Sequence, residues 1–263
     1  MNVLITGAAS GIGYAVMEYF LNNNHTVFAI DICEISKKEN LYSYVSDITM
    51  EEDLIKVKNL LTENNYKLDV IINIAGIHMM SSLIEGDYCK MKRLIDINLC
   101  GAMLVNKVFH SELNASGRIV ILTSEVAGFD PMPFNGLYNV SKTGLDCYAQ
   151  ALRQELNLIG QKVITIRPGA IKTPLSNNSI KDTQHLANNT VLYQKQAKKF
   201  SVIASKFMGN PLEPVKLAKL IYKASTTKHP KLIYKIHHNI GLVLLNILPK
   251  GLQCKIIKML LNH

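Results

Sequence analysis

Long apolar runs are missing from this sequence. No stretch of about 18 or more apolar residues occurs, which excludes a conventional membrane-spanning helix. Cysteine is sparse and irregular. Cys33, Cys89, Cys100, Cys147 and Cys254 form an odd set without Cys-x-x-Cys spacing, against a disulfide framework or zinc knuckle and in favour of reduced thiols in the cytoplasm. Of these, Cys147 is expected to be buried in its helix. No secretory signal is read, because Met1 runs directly into the strand-like residues 2–6. Neither a linker nor a repeat of fixed period divides the chain. Nor is it poor in hydrophobic residues, as disordered chains are: 48% of its 263 residues are hydrophobic and 19% charged.

Acidic residues are absent from one region. Residues 214–263 hold nine lysines and no Asp or Glu, so the whole net charge of +9 resides there and the rest of the chain is neutral. A nucleic-acid binder spreads its basic charge over a recognition face, and no nucleic-acid partner is expected here. Within 237–263, residues 240–248 are nearly all apolar, and Leu252, Ile256 and Leu260 recur at helical spacing with Lys255 and Lys258 on another face. Two readings of this tail stand side by side: packing against the body or a second subunit, and peripheral contact with a membrane surface.

What is present is a rhythm. Val- and Ile-rich strands are expected at 2–6, 26–30, 43–46, 68–75, 118–123, 162–166 and 231–236, with helices near 12–23, 51–64, 88–113, 137–158 and 213–226. Buried strands alternating with helices predict an α/β fold: one Rossmann-like, doubly wound parallel sheet spanning 1–263 as a single domain. The polar stretch 174–212 breaks the rhythm just past a strand end, where open α/β sheets bind ligands, and is read as a substrate lid.

The first turn, from Thr6 to Gly13, carries glycines at 7, 11 and 13 between a strand and a helix. Glycines allow a pyrophosphate to approach the backbone, and the helix end offers free N–H groups and a positive dipole. Asp31 closes the second strand 24 residues after Gly7, placed to accept a ribose hydroxyl and repel a 2′-phosphate. NAD is therefore expected over NADP, although Lys37 and Lys38 lie close enough to serve a phosphate. Tyr138 and Lys142 stand four apart on one helix face, and the ammonium is expected to bring the phenol down from its usual pKa near 10 towards general acid–base use. His110, His237 and His238 lack partners at ligand spacing, so no metal is expected. Met79, Met80 and Met132 read as apolar lining or loop packing.

Together these residues resemble the single-domain short-chain dehydrogenase/reductase family over residues 1 to about 175. The resemblance implies that Gly7, Ser10, Gly11, Ile12 and Gly13 form the pyrophosphate turn, with Asp31 as the ribose carboxylate and Asp47-Ile48 beside the adenine. Asn73-Ile74-Ala75-Gly76 is similar to the family's NNAG, with Ile74 in place of the second Asn. Asn98 matches the asparagine that holds a proton-relay water. Pro168, Gly169, Ile171 and Thr173 belong to a segment resembling the PGxxxT stretch beside the nicotinamide. The family keeps its serine thirteen residues before the tyrosine; here that position is Glu125, with Ser124 one residue earlier. Either Ser124 reaches the substrate carbonyl, or Glu125 occupies the site; a third reading turns Glu125 to solvent.

The implied activity is an NAD(P)-dependent oxidoreductase interconverting a secondary alcohol and a ketone, on a fairly apolar substrate, as a homodimer or homotetramer. Tyr138, Lys142, Ser124 and Asn98 would be the catalytic set. A carrier-linked 3-oxoacyl reductase and a non-catalytic dinucleotide-sensing or membrane-surface protein are the alternatives.

Overall fold

The computed structural model describes residues 1–207 and 210–262, and side chains among them except at 175–180 and 206–207. Seven strands form one sheet: β1 (Asn2–Thr6), β2 (Thr26–Asp31), β3 (Leu41–Val45), β4 (Leu68–Asn73), β5 (Leu113–Leu122), β6 (Lys162–Pro168) and β7 (Ile233–Ile236). Their order is β3-β2-β1-β4-β5-β6-β7, and every neighbouring pair is parallel. Parallel strands need crossovers, and helices on both faces bury them, which explains the near-continuous apolar runs.

On one face, Val3, Ile5, Val27 and Ile72 pack beneath α1 (Gly11–Leu21) and α8 (Pro214–Thr226). On the other, Leu4, Phe28, Ile71 and Ile119 pack beneath α2 (Glu51–Glu63), α4 (Ala102–Phe109) and α5 (Gly136–Asn157). The winding direction reverses between β1 and β4, which are paired from Val3–Val70 to Thr6–Asn73. A crevice opens at the carboxyl ends of strands at such a switch point.

Several expected boundaries move. The helix expected over 88–113 is broken into α3 (Tyr88–Ile95), a π turn (Asp96–Gly101), α4 and a short 3₁₀ turn (His110–Glu112). β5 begins at Leu113, earlier than expected, and β4 stops at Asn73. The 174–212 stretch is largely helical: α6 (Pro174–Asn189) and α7 (Gln194–Phe207). Met208 and Gly209 of the expected lid, and His263 of the tail, lie outside the described residues. The tail forms α9 (Ile240–Ile247) and α10 (Lys250–Asn262). α10 joins a third apolar cluster, where Leu261 meets Phe134, Leu186, Ala197 and Phe200 of the lid helices and the loop before α5. Cys147 is exposed, not buried as expected: on α5 the inward positions are taken by Leu145 and Ala149.

Candidate active site

Two adjoining cavities lie at the carboxyl ends of the strands. The first, of about 330 Å³, is lined by the β1–α1 turn, Asp31, Ser46, Asp47, Ile48, Ala75, Gly76 and Thr173. Its floor is backbone brought to close approach. Gly7 has φ +72°, and a Cβ there would lie 2.7 Å from the Ala75 Cα; a Cβ on Gly13 would lie 1.9 Å from the Gly7 carbonyl oxygen. Only glycine satisfies both positions. The Thr6 hydroxyl ties the two central strands together by accepting from the N–H groups of Ile74 and Ala75 at 3.2 and 3.3 Å. Ser10 precedes α1 but makes no side-chain cap to it, and no acid stands in the first turn. The helix dipole and its N–H groups are left facing the cavity.

Asp31 holds this turn as well as lining it. One carboxylate oxygen accepts from the Ala9 N–H at 2.9 Å and the other from the Cys33 N–H at 3.0 Å. Asp47 is braced by Arg93, which also lines the cavity and donates at 2.7 Å. Burial works to raise the Asp47 carboxyl, but the hydrogen bonds from Arg93 and Thr49 outweigh it and leave it below its ordinary value. Lys38 turns away to Glu18 at 2.5 Å, and neither it nor Lys37 lines the cavity. The buried Ser46 hydroxyl, also in the lining, has no hydrogen-bond partner. Positive-φ glycines, an open helix end, a carboxylate and an orphaned hydroxyl fit a nucleotide diphosphate.

Asn73 is the exception among the residues expected here. Its side chain is buried and donates to the Asn106 Oδ1 at 2.8 Å, on the α4 side of the sheet, and it lines neither cavity. Strand alternation decides this: Asn73 shares its face of β4 with Ile71, which packs on the α2, α4 and α5 side of the sheet.

The second cavity, of about 260 Å³, is lined by Ser124, Glu125, Tyr138, Lys142, the 168–171 segment and a largely apolar wall including Met80, Met132, Phe200 and Leu242. Ile12, Ile74, Gly76, Ile77 and Thr173 line both cavities, so the two share a rim. Within this second cavity Ser124 is the hydrogen-bonding neighbour of the Tyr138 hydroxyl. The Lys142 Nζ lies 5.9 Å from the Tyr138 ring centre and donates to the Leu122 carbonyl at 3.3 Å.

The electrostatics depart from expectation. Burial pushes the Tyr138 phenol up to about 12, opposed by the Ser124 hydrogen bond and reinforced by the Glu125 charge. Burial likewise brings Lys142 down to about 8. The lysine was expected to lower the phenol; in this state desolvation prevails over it, because both groups have left water.

Ser124, and not Glu125, is the residue joined to Tyr138. It begins a short 3₁₀ turn (Glu125–Gly128), which turns the following glutamate away from the phenol hydroxyl. Glu125 is not turned to solvent either: it is 8% exposed, and its carboxylate accepts from the Asn239 N–H at 2.6 Å. Burial raises its carboxyl, with that hydrogen bond opposing. Asn98 lies fully buried in the π turn. Its amide accepts from the Ile77 N–H at 2.7 Å and donates to the Ile77 carbonyl at 2.8 Å and the Ser141 hydroxyl at 3.1 Å. Both amide hydrogens are spent, so the side chain is a clamp on the loop beside Lys142.

Sequence reasoning missed His78. Its ring lies 4.4 Å from that of Tyr138, its Nε2 meets the Asn135 Oδ1 at 3.1 Å, and burial with the Lys142 charge lowers it to about 4. It stands two residues after the 73–76 motif, which is the signal that could have found it. Also missed was the Arg167–Asp146 pair, a two-pronged contact at 2.8 and 2.5 Å that ties the end of β6 to the helix of Tyr138. His110, His237 and His238 face Gln161 and the backbone carbonyls of Asn210 and Arg167.

Comparison with known proteins gives this geometry its relatives. An uncharacterized oxidoreductase of Staphylococcus saprophyticus is 30% identical over 188 residues, 67% of this chain and 80% of that protein. The NADPH-dependent 1-acyldihydroxyacetone phosphate reductase of Schizosaccharomyces pombe is 31% identical over 185 residues, 68% of this chain and 62% of that protein. Among solved structures, a short chain dehydrogenase family protein from Francisella tularensis superposes with a TM-score of 0.74 at 28% identity, covering 89% of this chain and 96% of that one. The model of the short chain dehydrogenase family itself matches residues 1–184, which include every residue lining the first cavity and most of those lining the second. The chain therefore belongs to the short-chain dehydrogenase/reductase family and is an oxidoreductase dependent on a nicotinamide dinucleotide.

Proposed function

We propose that the protein interconverts a secondary alcohol and a ketone of fairly apolar character, with NAD in preference to NADP. The observation that carries this reading is Tyr138 with Ser124 and Lys142 in the apolar cavity that adjoins the glycine-floored one. A bound dinucleotide supplies the hydride. Gly7, Ser10, Gly11, Ile12 and Gly13 would hold its pyrophosphate, Asp31 the adenosine ribose, and Asp47 and Ile48 the adenine end. Ala75, Gly76, Pro168, Gly169, Ile171 and Thr173 would enclose the nicotinamide end, with Lys142 on its ribose. Asn73 supports β4 from behind.

Tyr138 carries its proton in this state and is set to donate it to an oxygen gaining negative charge. Ser124 donates to that same oxygen and polarises the carbonyl. Lys142, beneath the phenol, stabilises it once the proton has left. The Asn98 clamp leaves a relay water to its main chain. Met80, Met132, Phe200 and Leu242 give the substrate side its apolar character. The yeast reductase acts on a ketone that carries an acyl chain, which agrees with such a wall. Its NADPH dependence is the observation favouring the second cofactor, and Asp31 with Lys38 turned to Glu18 opposes it here. The five free thiols accord with a reducing, cytoplasmic setting, and a homodimer or homotetramer is the assembly proposed.

The test is a panel of alcohols and ketones assayed with both dinucleotides. Turnover of an apolar ketone is expected with NADH favoured, and Asp31→Ser should narrow that preference by about tenfold as the like charge is removed. Equal or better use of NADPH by the unaltered protein overturns the cofactor assignment.

A further inference from the structure

The tail answers half of its own question. Its inner side packs: Leu261 joins the lid cluster, Gln253 is buried, and Asn246 accepts from the Asp130 N–H at 2.5 Å. The outer side of α9 does not. Ile240, Leu244 and Ile247 are 74%, 60% and 72% exposed, and Val243 is exposed with them. Spaced i, i+3, i+4 and i+7, these four form one stripe along the helix. Leu252, Met259 and Leu260 extend exposed apolar surface along α10, where Lys255 and Lys258 are exposed too. Beside α10 runs a groove whose other wall carries the exposed Leu83, Ile84 and Leu192.

So much unpartnered apolar surface marks an interaction site. Its charge selects the partner. α9 and α10 carry Lys250, Lys255 and Lys258 and no acid; Asp130 pairs with Lys250 at 3.3 Å, and two copies meeting through this face would set the exposed Lys255 and Lys258 against their counterparts. An anionic surface is complementary. No helix among the described residues is long and apolar enough to cross a membrane, whereas a short, apolar-faced helix flanked by lysines suits the plane of a bilayer interface. The placement adds a consequence. Leu242 and Asn239, on the inner side of α9 and just before it, wall the apolar cavity, so this helix stands between that cavity and whatever covers its outer stripe.

We propose that α9 and α10 seat the protein on an anionic lipid surface, the Ile240–Leu244–Ile247 stripe among acyl chains and Lys250, Lys255 and Lys258 at the head groups. A lipophilic alcohol or ketone then enters the substrate cavity past α9 from that surface. This second half rests on the alcohol–ketone reading of the cavity.

The test uses the full chain and vesicles of phosphatidylcholine containing roughly one-third phosphatidylglycerol, with pure phosphatidylcholine as reference. Co-sedimentation with the anionic vesicles is expected, weakening as salt is raised. Lys255→Gln and Lys258→Gln should each lower affinity about fivefold. The triple variant Ile240→Asn, Leu244→Asn, Ile247→Asn should abolish binding while its thermal melt and its NADH titration stay unchanged, since these side chains support nothing inside. For a ketone carried in the vesicles, the triple variant should raise KM, and for a short water-soluble ketone it should not. Absence of binding by the unaltered chain at low salt, or binding indifferent to the triple variant, overturns the proposal. So does an assembly, seen by sedimentation equilibrium, that the triple variant splits: the stripe then belongs to a second copy. Because vesicle binding is read without turnover, loss of the surface leaves the catalytic reading standing, and absence of any turnover leaves the surface standing.

Discussion

The two adjoining cavities are made of different materials. The dinucleotide side is built by strand ends, glycine backbone and a helix terminus within residues 7–97, closed by Thr173 and Pro174. The substrate side borrows its wall from α7, from loops before α5 and from the tail, segments far apart in sequence that meet through side chains. A recurring cofactor asks for one fixed backbone shape, whereas a substrate wall can be rebuilt around an unchanged rim. The family model ends at residue 184, before α7 and the tail contribute their part of that wall.

Tyr138 lines the substrate side and offers the sharpest way to break this comparison. Tyr138→Phe should lower kcat by about 10³-fold or more while NADH affinity by titration is largely kept, because the ring still packs and only the proton is lost. A parallel loss of NADH affinity would show that the two sides are not separable at this residue.

The next largest effect separates neighbours. Ser124→Ala should cost on the order of 10²-fold in kcat, like loss of one oxyanion donor. Glu125→Ala should spare kcat by comparison and instead raise KM and lower the melting temperature, because its carboxylate holds the Asn239 N–H and so the seat of the tail. Should Glu125→Ala damage kcat more than Ser124→Ala, the glutamate belongs to the reacting centre.

A third experiment concerns stability. Lys142 is 5% exposed, and burial brings it down to about 8 from 10.5. A lysine lowered on folding binds fewer protons in the folded chain than in the unfolded one, so stability rises with pH across that window. Between pH 8 and 10 the protein should gain roughly 2 kcal/mol from this residue. Above pH 10 the raised Tyr138 phenol works in the opposite direction, as the unfolded phenol ionises first. Lys142→Met should remove the gain, raise the melting temperature at neutral pH and abolish turnover. A denaturation series over pH for both proteins decides it; an equal rise in the variant means the buried charge is not its source.

Much of the site was legible because local chemistry dictated it. A glycine whose Cβ would lie 1.9 Å from a carbonyl oxygen has no substitute, and an aspartate closing β2 must stand at the sheet's carboxyl edge. Four-residue spacing alone put Tyr138 and Lys142 on one helix face. Their charges were not legible in the same way: spacing predicts attraction between ammonium and phenol, but burial sets the balance, and burial depends on everything packed around them. Asn73 shows the same limit, since motif position placed it at the cavity and strand alternation turned it to Asn106.

Sequence by itself determined the parallel sheet and the residues whose chemistry admits no replacement, because apolar period and glycine geometry act within a few residues. Tertiary structure alone set Ser124 beside the phenol and gave the Glu125 carboxylate the backbone N–H of residue 239. It alone divided the tail into a packed side and an exposed one. Both outcomes depend on contacts across more than a hundred residues of chain, for which no local pattern carries the information.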